Sequence, residues 1–449
     1  MIDSHCHLEM FGEEVSEVIK RAEKAGVTKI ISVASDPESL DKILQIAEKN
    51  PIVYATAGIH PHEAVSWNEE LRDKIFEFSR HPKVVAIGEI GLDYHYNHSP
   101  KETQQKAFKE QLEVANELGL PVVIHSREAF EDTFEILKSS GIKRGVMHCF
   151  SGDVSQAQKA IELGMFISIS GVVTFKNSKK IKEVARFVPD EYLLVETDAP
   201  YLAPEPFRGR KNEPALLKYT VQALAELREV SFEDIQRITT INTMRLFQIG
   251  ETPKGEIAYK IRDSLYLNIT NRCTNVCKFC VRFHTDYVKG HNLRLENEPS
   301  VEDLIRAIEN PKNYREIVFC GYGEPFLRLD VIKEVAKWIK EKGGRVRVNT
   351  NGHGNIIHGR RILPELKGLI DSISISLNAQ DRETYNKICK PMYPNAYEAV
   401  IDFIKDAKEN VPYVQVTVVN LPEIDIEKCR EIANSLGVKL KIRHLDKVG

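Results

Sequence analysis

Six side chains in the first two hundred residues are of the kinds that hold divalent metal ions, and each closes a short apolar run. His5 and His7 stand in Asp3-Ser4-His5-Cys6-His7, Glu89 in Gly88-Glu89-Ile90-Gly91, His125 in Ile124-His125-Ser126, His148 in Met147-His148-Cys149 and Asp198 in Glu196-Thr197-Asp198. Residues two apart on a strand point the same way, so both imidazoles of the first segment can face one site. A lone histidine at a strand end is more often a hydrogen-bonded structural residue than a ligand, but six ligand-type residues at one rim call for another reading. Histidine and carboxylate suit zinc and similar first-row divalent ions. Six ligands exceed the three that hold one catalytic zinc. A pair of ions about 3.5–4 Å apart that shares a carboxylate uses all six and activates a water between them. Glu89, between the two histidine groups in chain order, is the natural bridge. Asp198 can hold one ion and also accept the proton of the attacking water. Glu196, two residues earlier and facing the same way, suits a partner for a ligating histidine.

A second chemistry lies further along. Of eight cysteines only Cys6 and Cys149 precede residue 250, whereas Cys273, Cys277 and Cys280 share one eight-residue loop. In a reducing compartment, clustered cysteines bind metal more often than they form disulfides. Tetrahedral zinc asks for a fourth ligand, which Cys320 or His284 would have to supply. A [4Fe–4S] cluster is normally held by four cysteines, so three close ones leave an iron free. Gly321 and Gly323, in Cys320-Gly321-Tyr322-Gly323-Glu324-Pro325, would let the backbone approach a ligand closely. Asn349-Thr350-Asn351-Gly352 and Ser374-Ile375-Ser376-Leu377-Asn378 end two further runs, the latter with alternate polar side chains suited to ribose hydroxyls. Cys389 and Cys429 are isolated and read as structural thiols.

The elements that must position these residues alternate between short β-branched runs and longer amphipathic stretches, the pattern of repeated βα units. Eight strands are expected in the first half: Ile2–Leu8, Lys29–Ala34, Ile52–Ile59, Val84–Glu89, Pro121–Ser126, Gly145–Cys149, Met165–Ser170 and Tyr192–Thr197. Helices are expected between them, as at Ser16–Ala25 and Gln104–Leu118, with closing helices at Tyr219–Leu227 and Phe232–Phe247. This is the count of an α/β TIM (β/α)8 barrel, in which chemistry sits at the C-terminal strand ends. Ile249–Lys254 carries Gly and Pro and reads as a linker, giving domains 1–254 and 255–449. Six strands are expected in the second: Ser264–Thr270, Glu316–Cys320, Arg345–Thr350, Ile370–Leu377, Tyr413–Val419 and Val438–Ile442. They suit an open or partial (β/α)6 barrel.

Composition sets limits. The 449 residues are 42% hydrophobic and 28% charged, ordinary for a globular protein. A net charge of −3 does not support a dedicated basic nucleic-acid binder and leaves room only for a local basic patch. No apolar run approaches the roughly 18 residues of a membrane helix. Met1–Met10 lacks a basic n-region and an apolar h-region, so a cytoplasmic protein is expected, with no membrane partner. Arg208, Arg210 and Lys211 form a basic loop after the last barrel strand, suited to phosphate contact at the mouth, although such runs are commonly solvated loops.

The histidine and carboxylate segments, together with Gly58-Ile59-His60-Pro61-His62, Gly91-Leu92-Asp93-Tyr94, His148-Cys149-Phe150-Ser151-Gly152 and Asp198-Ala199-Pro200-Tyr201-Leu202, resemble the TatD family of metal-dependent hydrolases over roughly residues 1–250. That resemblance implies a TIM barrel acting as a deoxyribonuclease or related phosphodiesterase on DNA or a small phosphodiester. It places His5, His7, Glu89 and Asp198 on one divalent ion (zinc, manganese or magnesium) and Glu89, His125 and His148 on a second. It makes His60 a catalytic residue near the scissile phosphate that binds no metal. The C-x3-C-x2-C loop, with an aromatic before its third cysteine, resembles the radical S-adenosylmethionine (radical SAM) superfamily over roughly 260–449. This implies a [4Fe–4S] cluster on Cys273, Cys277 and Cys280 whose open iron is chelated by S-adenosylmethionine, and a 5′-deoxyadenosyl radical. It implies cofactor contacts at Gly321, Gly323, Glu324, Asn351, Ser376 and Asn378, and a flavodoxin- or ferredoxin-like reductant. Val418-Val419-Asn420-Leu421-Pro422 only approximates the superfamily's adenine-binding motif, and the radical substrate stays unnamed. The whole chain resembles TatD-associated radical SAM proteins. Two competing functions are a hydrolase of C–N bonds in amides or rings, serving one small-molecule pathway with the radical half, and a radical half that only senses nucleic acid or redox state.

Overall fold

The computed structural model describes residues 1–251 and 253–444; Thr252, inside the expected linker, and residues 445–449 of the expected second domain lie outside the described residues. The chain divides into two compact units, Met1–Thr252 and Pro253–Gly449.

In the first unit, strands β1 (Ile2–Cys6), β2 (Lys29–Ser32), β3 (Val53–Ala57), β4 (Val84–Asp93), β5 (Val122–Arg127), β6 (Gly145–Met147), β7 (Met165–Ile169) and β8 (Leu193–Val195) pair in chain order. All the pairings are parallel. The ring nearly closes just beyond the strand ends: His7 N donates to Ala199 O at 2.7 Å and Asp198 N to His5 O at 3.0 Å. Each strand is buried on both faces, which is why the runs are almost continuously apolar. Ile31, Val33, Val85, Val123, Val146 and Leu194 form one packed cluster with Leu246, Phe247 and Ile249. Val123 shares its strand face with His125, whereas Glu196 and Asp198 follow the end of β8 on the turn beyond Leu194. The lumen is therefore a dry apolar floor under a polar rim.

The expected strands all form, with shifted ends. β4 runs on to Asp93, four residues past the expected end. β6 and β8 stop before His148 and Glu196, because the backbone turns there: Cys149 and Asp198 adopt left-handed φ of 39° and 56°. The closing helix spans Phe232–Phe247, opened by a reciprocal capping box between Ser231 and Asp234. No described helix is long and apolar enough to cross a membrane.

In the second unit, β9 (Ala258–Ile261), β10 (Ser264–Asn268), β13 (Ile317–Cys320), β14 (Val346–Thr350), β15 (Ser372–Ser376), β16 (Tyr413–Asn420) and β17 (Lys439–His444) form one open sheet in that spatial order. The last six are parallel, as expected. The antiparallel β9 was not expected; it joins β10 through a two-residue turn, with Arg262 at φ 55°. A short hairpin of β11 (Tyr287–Val288) and β12 (His291–Asn292) turns at Lys289-Gly290, both at positive φ. One sheet face is apolar and packs with the helices: Leu267, Phe319, Val348, Ile375 and Val416 share a core with Leu329–Glu341 and Ala396–Asn410. The opposite face is polar.

Candidate active sites

The barrel's strand ends converge on Glu89. Its Oε1 lies 2.7 Å from His148 Nε2, 2.9 Å from His125 Nδ1 and 3.4 Å from His60 Nε2. Its Oε2 lies 3.3 Å from His5 Nε2 and 3.9 Å from His7 Nε2. Asp198 Oδ1 is 3.7 Å from both His5 Nε2 and His7 Nε2. The six residues expected as ligands thus meet in one place, with Glu89 central.

Local backbone chemistry delivers them. The β4–β5 register shifts between Ile87 and Ile90, beside Glu89. Gly91 adopts φ +140°, and a Cβ there would sit 2.0 Å from the His125 carbonyl oxygen. Only glycine lets β4 and β5 approach closely enough to bring Glu89 against His125. Asp198 is carried by a strained left-handed turn, and buried Asp3 holds the preceding residue, accepting from Thr197 N at 2.9 Å and from Thr197 Oγ1. Burial pushes the Asp3 carboxyl up to about 7.

Hydrogen bonds choose the tautomers. A carbonyl can only accept, so His7 Nδ1 donates to Val33 O at 3.1 Å and its Nε2 presents a lone pair to the site. His125 Nε2 donates to Asp93 Oδ2 at 3.0 Å, which leaves Nδ1 as the ring nitrogen that faces Glu89. His60 differs: its Nδ1 accepts from His62 N at 3.1 Å, so Nε2 carries the proton. Burial lowers the His60 pKa to about 4, and the neutral ring faces Glu89 as a donor. Burial opposes charge on Glu89 and Asp198, but the surrounding imidazoles outweigh it and hold both carboxyls below their usual range.

This donor set fits divalent ions. His5 Nε2 and His7 Nε2 face one another at 3.3 Å, and His125 Nδ1 and His148 Nε2 at 3.2 Å. His5, His7 and Glu89 offer ligand atoms within 4.8 Å of one another, as do His5, His148 and Asp198, and also His60, Glu89 and His125. Two buried carboxylates amid converging ring nitrogens are a charge arrangement that cations complete.

Asp93 and His62 carried no role on sequence grounds alone. Asp93 Oδ2 accepts from His125 and, at 3.1 Å, from His62 Nε2, while its Oδ1 accepts from Tyr96 N. The signal was available: Glu89 and Asp93 lie four apart on one strand. Glu196 Oε1 accepts from Cys149 N at 2.6 Å and lies 3.4 Å from His148 Nδ1, the partnership anticipated for it. The expected phosphate residues are exposed. Arg208 lies over Phe175 at 4.4 Å and Arg210 over Phe207 at 6.0 Å, whereas Lys211 pairs with Glu14 at 3.3 Å.

In the second unit the cysteine loop is docked rather than free. Val276 N donates to Cys389 O and Lys278 N to Ile388 O, both at 2.9 Å, and Met392 N to Thr274 O. The neighbouring Cys389 thiol, with burial, raises the Cys277 pKa far above the ordinary thiol value. A buried polar chain backs the loop: His353 Nδ1 meets Thr274 Oγ1 at 2.8 Å, and Thr274 Oγ1 accepts from Asn351 Nδ2. Asn351 Nδ2 also reaches Cys273 Sγ at 3.7 Å.

The other expected cofactor residues divide. Glu324 is buried and holds backbone: Oε1 accepts from Phe326 N and Thr350 Oγ1, and Oε2 from Asn351 N. A Cβ on Gly323 would lie 2.1 Å from the Arg272 carbonyl oxygen, so this glycine lets its segment pack on the residue before Cys273. Gly321 is similarly pressed on Asn268. Asn378 is buried with its Nδ2 on Cys389 Sγ, and Ser376 closes β15 half-buried.

Comparison with known proteins agrees with this division. Residues 2–248 match the family model described as TatD related DNase, and residues 267–436 match the radical SAM superfamily. An uncharacterized metal-dependent hydrolase, YabD, of Bacillus subtilis is 44% identical over 254 residues, covering 56% of this chain and all of the relative. A 3′-5′ ssDNA/RNA exonuclease TatD of Erwinia tasmaniensis is 36% identical, covering 53% of this chain and 95% of the relative. Among solved structures, the TatD homolog YjjV of Escherichia coli superposes with a TM-score of 0.54 and 34% identity, covering 56% of this chain and 98% of that one. The chain is an enzyme that belongs to the TatD-related DNase family and carries a radical SAM domain after its hydrolase barrel in sequence.

Proposed function

We propose that the first half hydrolyses phosphodiester bonds in DNA or a smaller phosphodiester. One divalent ion would be held by His5, His7, Glu89 and Asp198, and a second by Glu89, His125 and His148. The observation that carries this is the meeting of five imidazoles on one buried carboxylate, with ring nitrogens of His5 and His7, and of His125 and His148, facing one another at 3.2–3.3 Å. When bound, such a pair supplies an activated water and charge stabilisation at the phosphoryl centre. The chain's own groups do the rest. His60, neutral and protonated at Nε2, offers a hydrogen bond toward the reacting group. Asp198, kept ionised, accepts a proton at Oδ2, the oxygen that does not face His5 and His7. Asp93 holds His125, and the apolar floor excludes water from below. Arg208 and Arg210, exposed on ring faces at the rim, suit the phosphates of a longer substrate and favour a phosphodiester over an amide.

For the second half we infer a [4Fe–4S] cluster on Cys273, Cys277 and Cys280, with S-adenosylmethionine at the open iron as the source of a 5′-deoxyadenosyl radical and a flavodoxin- or ferredoxin-like reductant. Asn351, at Cys273 Sγ, positions the loop, and Glu324 positions Asn351. The eight cysteines are free thiols, which suits the cytoplasm. We take 1–254 and 255–449 as the working domains.

The test is anaerobic purification with metal, iron and sulfide analysis, followed by assay on an aryl phosphodiester, a single-stranded oligonucleotide and an amide panel, before and after chelation. Phosphodiester turnover that chelation abolishes and metal restores is expected, with 5′-deoxyadenosine formed on reduction. Amide turnover without phosphodiester turnover would overturn the hydrolase reading, and iron-free protein the radical one.

A further inference from the structure

The outermost strand of the second sheet alternates in type. Leu440 and Ile442 pack against the core that holds Val416 and Val418. Lys439, Lys441 and Arg443 take the opposite face and are exposed. Register extends that face across the sheet. Lys439 lies beside Gln415, Gln415 beside Ser374 and Ser374 beside Asn349; Lys441 lies beside Thr417 and Thr417 beside Ser376. Among the described residues, no carboxylate stands on this face of β15, β16 or β17. Further in, the Arg347 guanidinium is engaged by Glu316, Asn349 and Tyr266. Among the described residues, the unneutralised charge on this face is therefore concentrated on β17.

Two observations add a shape to this charge. Tyr413, on the same face at the start of β16, is 43% exposed, and Lys439 Nζ lies 5.8 Å from its ring centroid. Residues two apart on a strand are roughly 6.6 Å apart, close to the interval at which an extended single strand presents successive phosphates. Because β10 and β17 run parallel within one sheet, Arg443 lies toward the strand ends from which the Cys273–Cys280 loop departs. Charged residues on an edge strand also guard against unwanted strand pairing. That role accounts for charge, but not for a single sign in which Lys439 and Lys441 stand in register with an amide and a hydroxyl beside an exposed aromatic ring, with Arg443 beside Val419 at the far end.

We propose that this face of β15–β17 is a track for single-stranded nucleic acid. Its phosphates lie on Lys439, Lys441 and Arg443 and a base stacks on Tyr413, which makes a nucleotide within the strand the substrate class of the second half. The substrate assignment rests on the radical reading above; the binding does not. A chain with net charge −3 would hold nucleic acid through such a local track rather than through its overall field.

The test uses full-length protein carrying Glu89→Gln, so that probes survive, with fluorescein-labelled oligothymidylate and oligouridylate followed by anisotropy. Three phosphate contacts to a single strand give a log–log salt slope of about −2, roughly a twentyfold loss of affinity between about 50 and 200 mM salt. Lys439→Gln, Lys441→Gln and Arg443→Gln combined should flatten the slope by about that amount and weaken low-salt binding roughly tenfold or more. Tyr413→Ala should weaken it about fivefold or more without changing the slope. Arg208→Gln with Arg210→Gln measures the barrel's own share, and the two probes distinguish DNA from RNA. The track is overturned if the parent binds neither probe. It is equally overturned if the triple variant keeps the parent's affinity and slope while the arginine variant loses them. Iron content and substrate-free 5′-deoxyadenosine formation, unchanged in the triple variant, separate failure of the track from failure of the radical reading.

Discussion

The two halves hold their reactive groups in opposite ways. In the barrel, the ligand-type residues ride at the ends of hydrogen-bonded strands, over an apolar floor built from the same strands. In the second half, three cysteines sit on a loop that leaves β10 and is held from behind, by Ile388–Met392 and by the chain from Asn351 through Thr274 to His353. The barrel's geometry is thus a property of its strands, and a lost side chain leaves its neighbours in place. The cysteine loop's geometry belongs to its contacts, so residues remote from the thiols should govern it. The barrel gathers imidazoles and carboxylates that can hold cations, whereas the loop pairs the backbone amides of Val276, Lys278 and Cys280 within the protein.

The largest effects should fall cleanly on one half. Changing Cys273, Cys277 and Cys280 together to Ala should abolish the reduced-cluster EPR signal and 5′-deoxyadenosine formation while hydrolysis persists. Loss of hydrolysis in that protein would show that the halves are not independent. Glu89→Gln should lower phosphodiester hydrolysis by roughly 10⁴-fold or more, a loss on the scale seen when a central catalytic group is removed, and lower bound metal while iron is unchanged. Retained activity would remove Glu89 from the centre of the site.

A smaller effect tests whether the barrel is as pre-set as it looks. Asp93→Asn replaces the acceptor shared by His125 and His62, and should weaken metal affinity about 10–100-fold, the usual result of losing a hydrogen-bond partner of a ligating histidine. Metal titration followed by a Co(II) spectrum reads this without turnover. His60→Ala should instead bind metal normally and turn over slowly, since its Nδ1 is already taken by His62 N.

The smallest effect concerns the loop's remote supports. Burial raises the Glu324 carboxyl from 4.5 to about 7. Between those values the folded protein binds more protons than the unfolded chain, so this group's contribution to stability falls as pH rises from about 4.5 through about 7. Glu324→Gln should remove that slope and cost about 1–3 kcal/mol, because an amide N–H would then oppose a backbone donor. Thermal melts of cluster-free protein across that range, with iron uptake measured beside them, check it. Normal uptake in a destabilised variant would separate the support of Asn351 from the cysteine loop.

Much of this organisation is legible in the residues. The eight barrel strands announce themselves as β-branched runs because a parallel sheet covered on both faces must be apolar on both. His5, His7, Glu89, His125, His148 and Asp198 stand out because metal-binding side chains are rare at the ends of such runs. The three cysteines stand out by spacing alone. Less visible are β9, whose Ala258-Tyr259-Lys260-Ile261 is short and mixed, and the part played by Asp93, which depends on β4 running four residues further than its apolar run.

What the sequence by itself determined is therefore the parts and their chemistry: two α/β units, six metal-type ligands and three thiols in one loop. Only the tertiary structure decided which nitrogen of each histidine faces the site, because that follows from partners such as Val33 O and Asp93 Oδ2 that are distant along the chain. It also gave Glu324 and Gly323 packing roles around the cysteine loop that residue type does not reveal, since burial and close backbone approach are set by packing. And it aligned Lys439 with Gln415, Lys441 with Thr417 and Arg443 with Val419, because register between parallel strands is fixed by hydrogen bonds across the sheet, not by residue type along a strand.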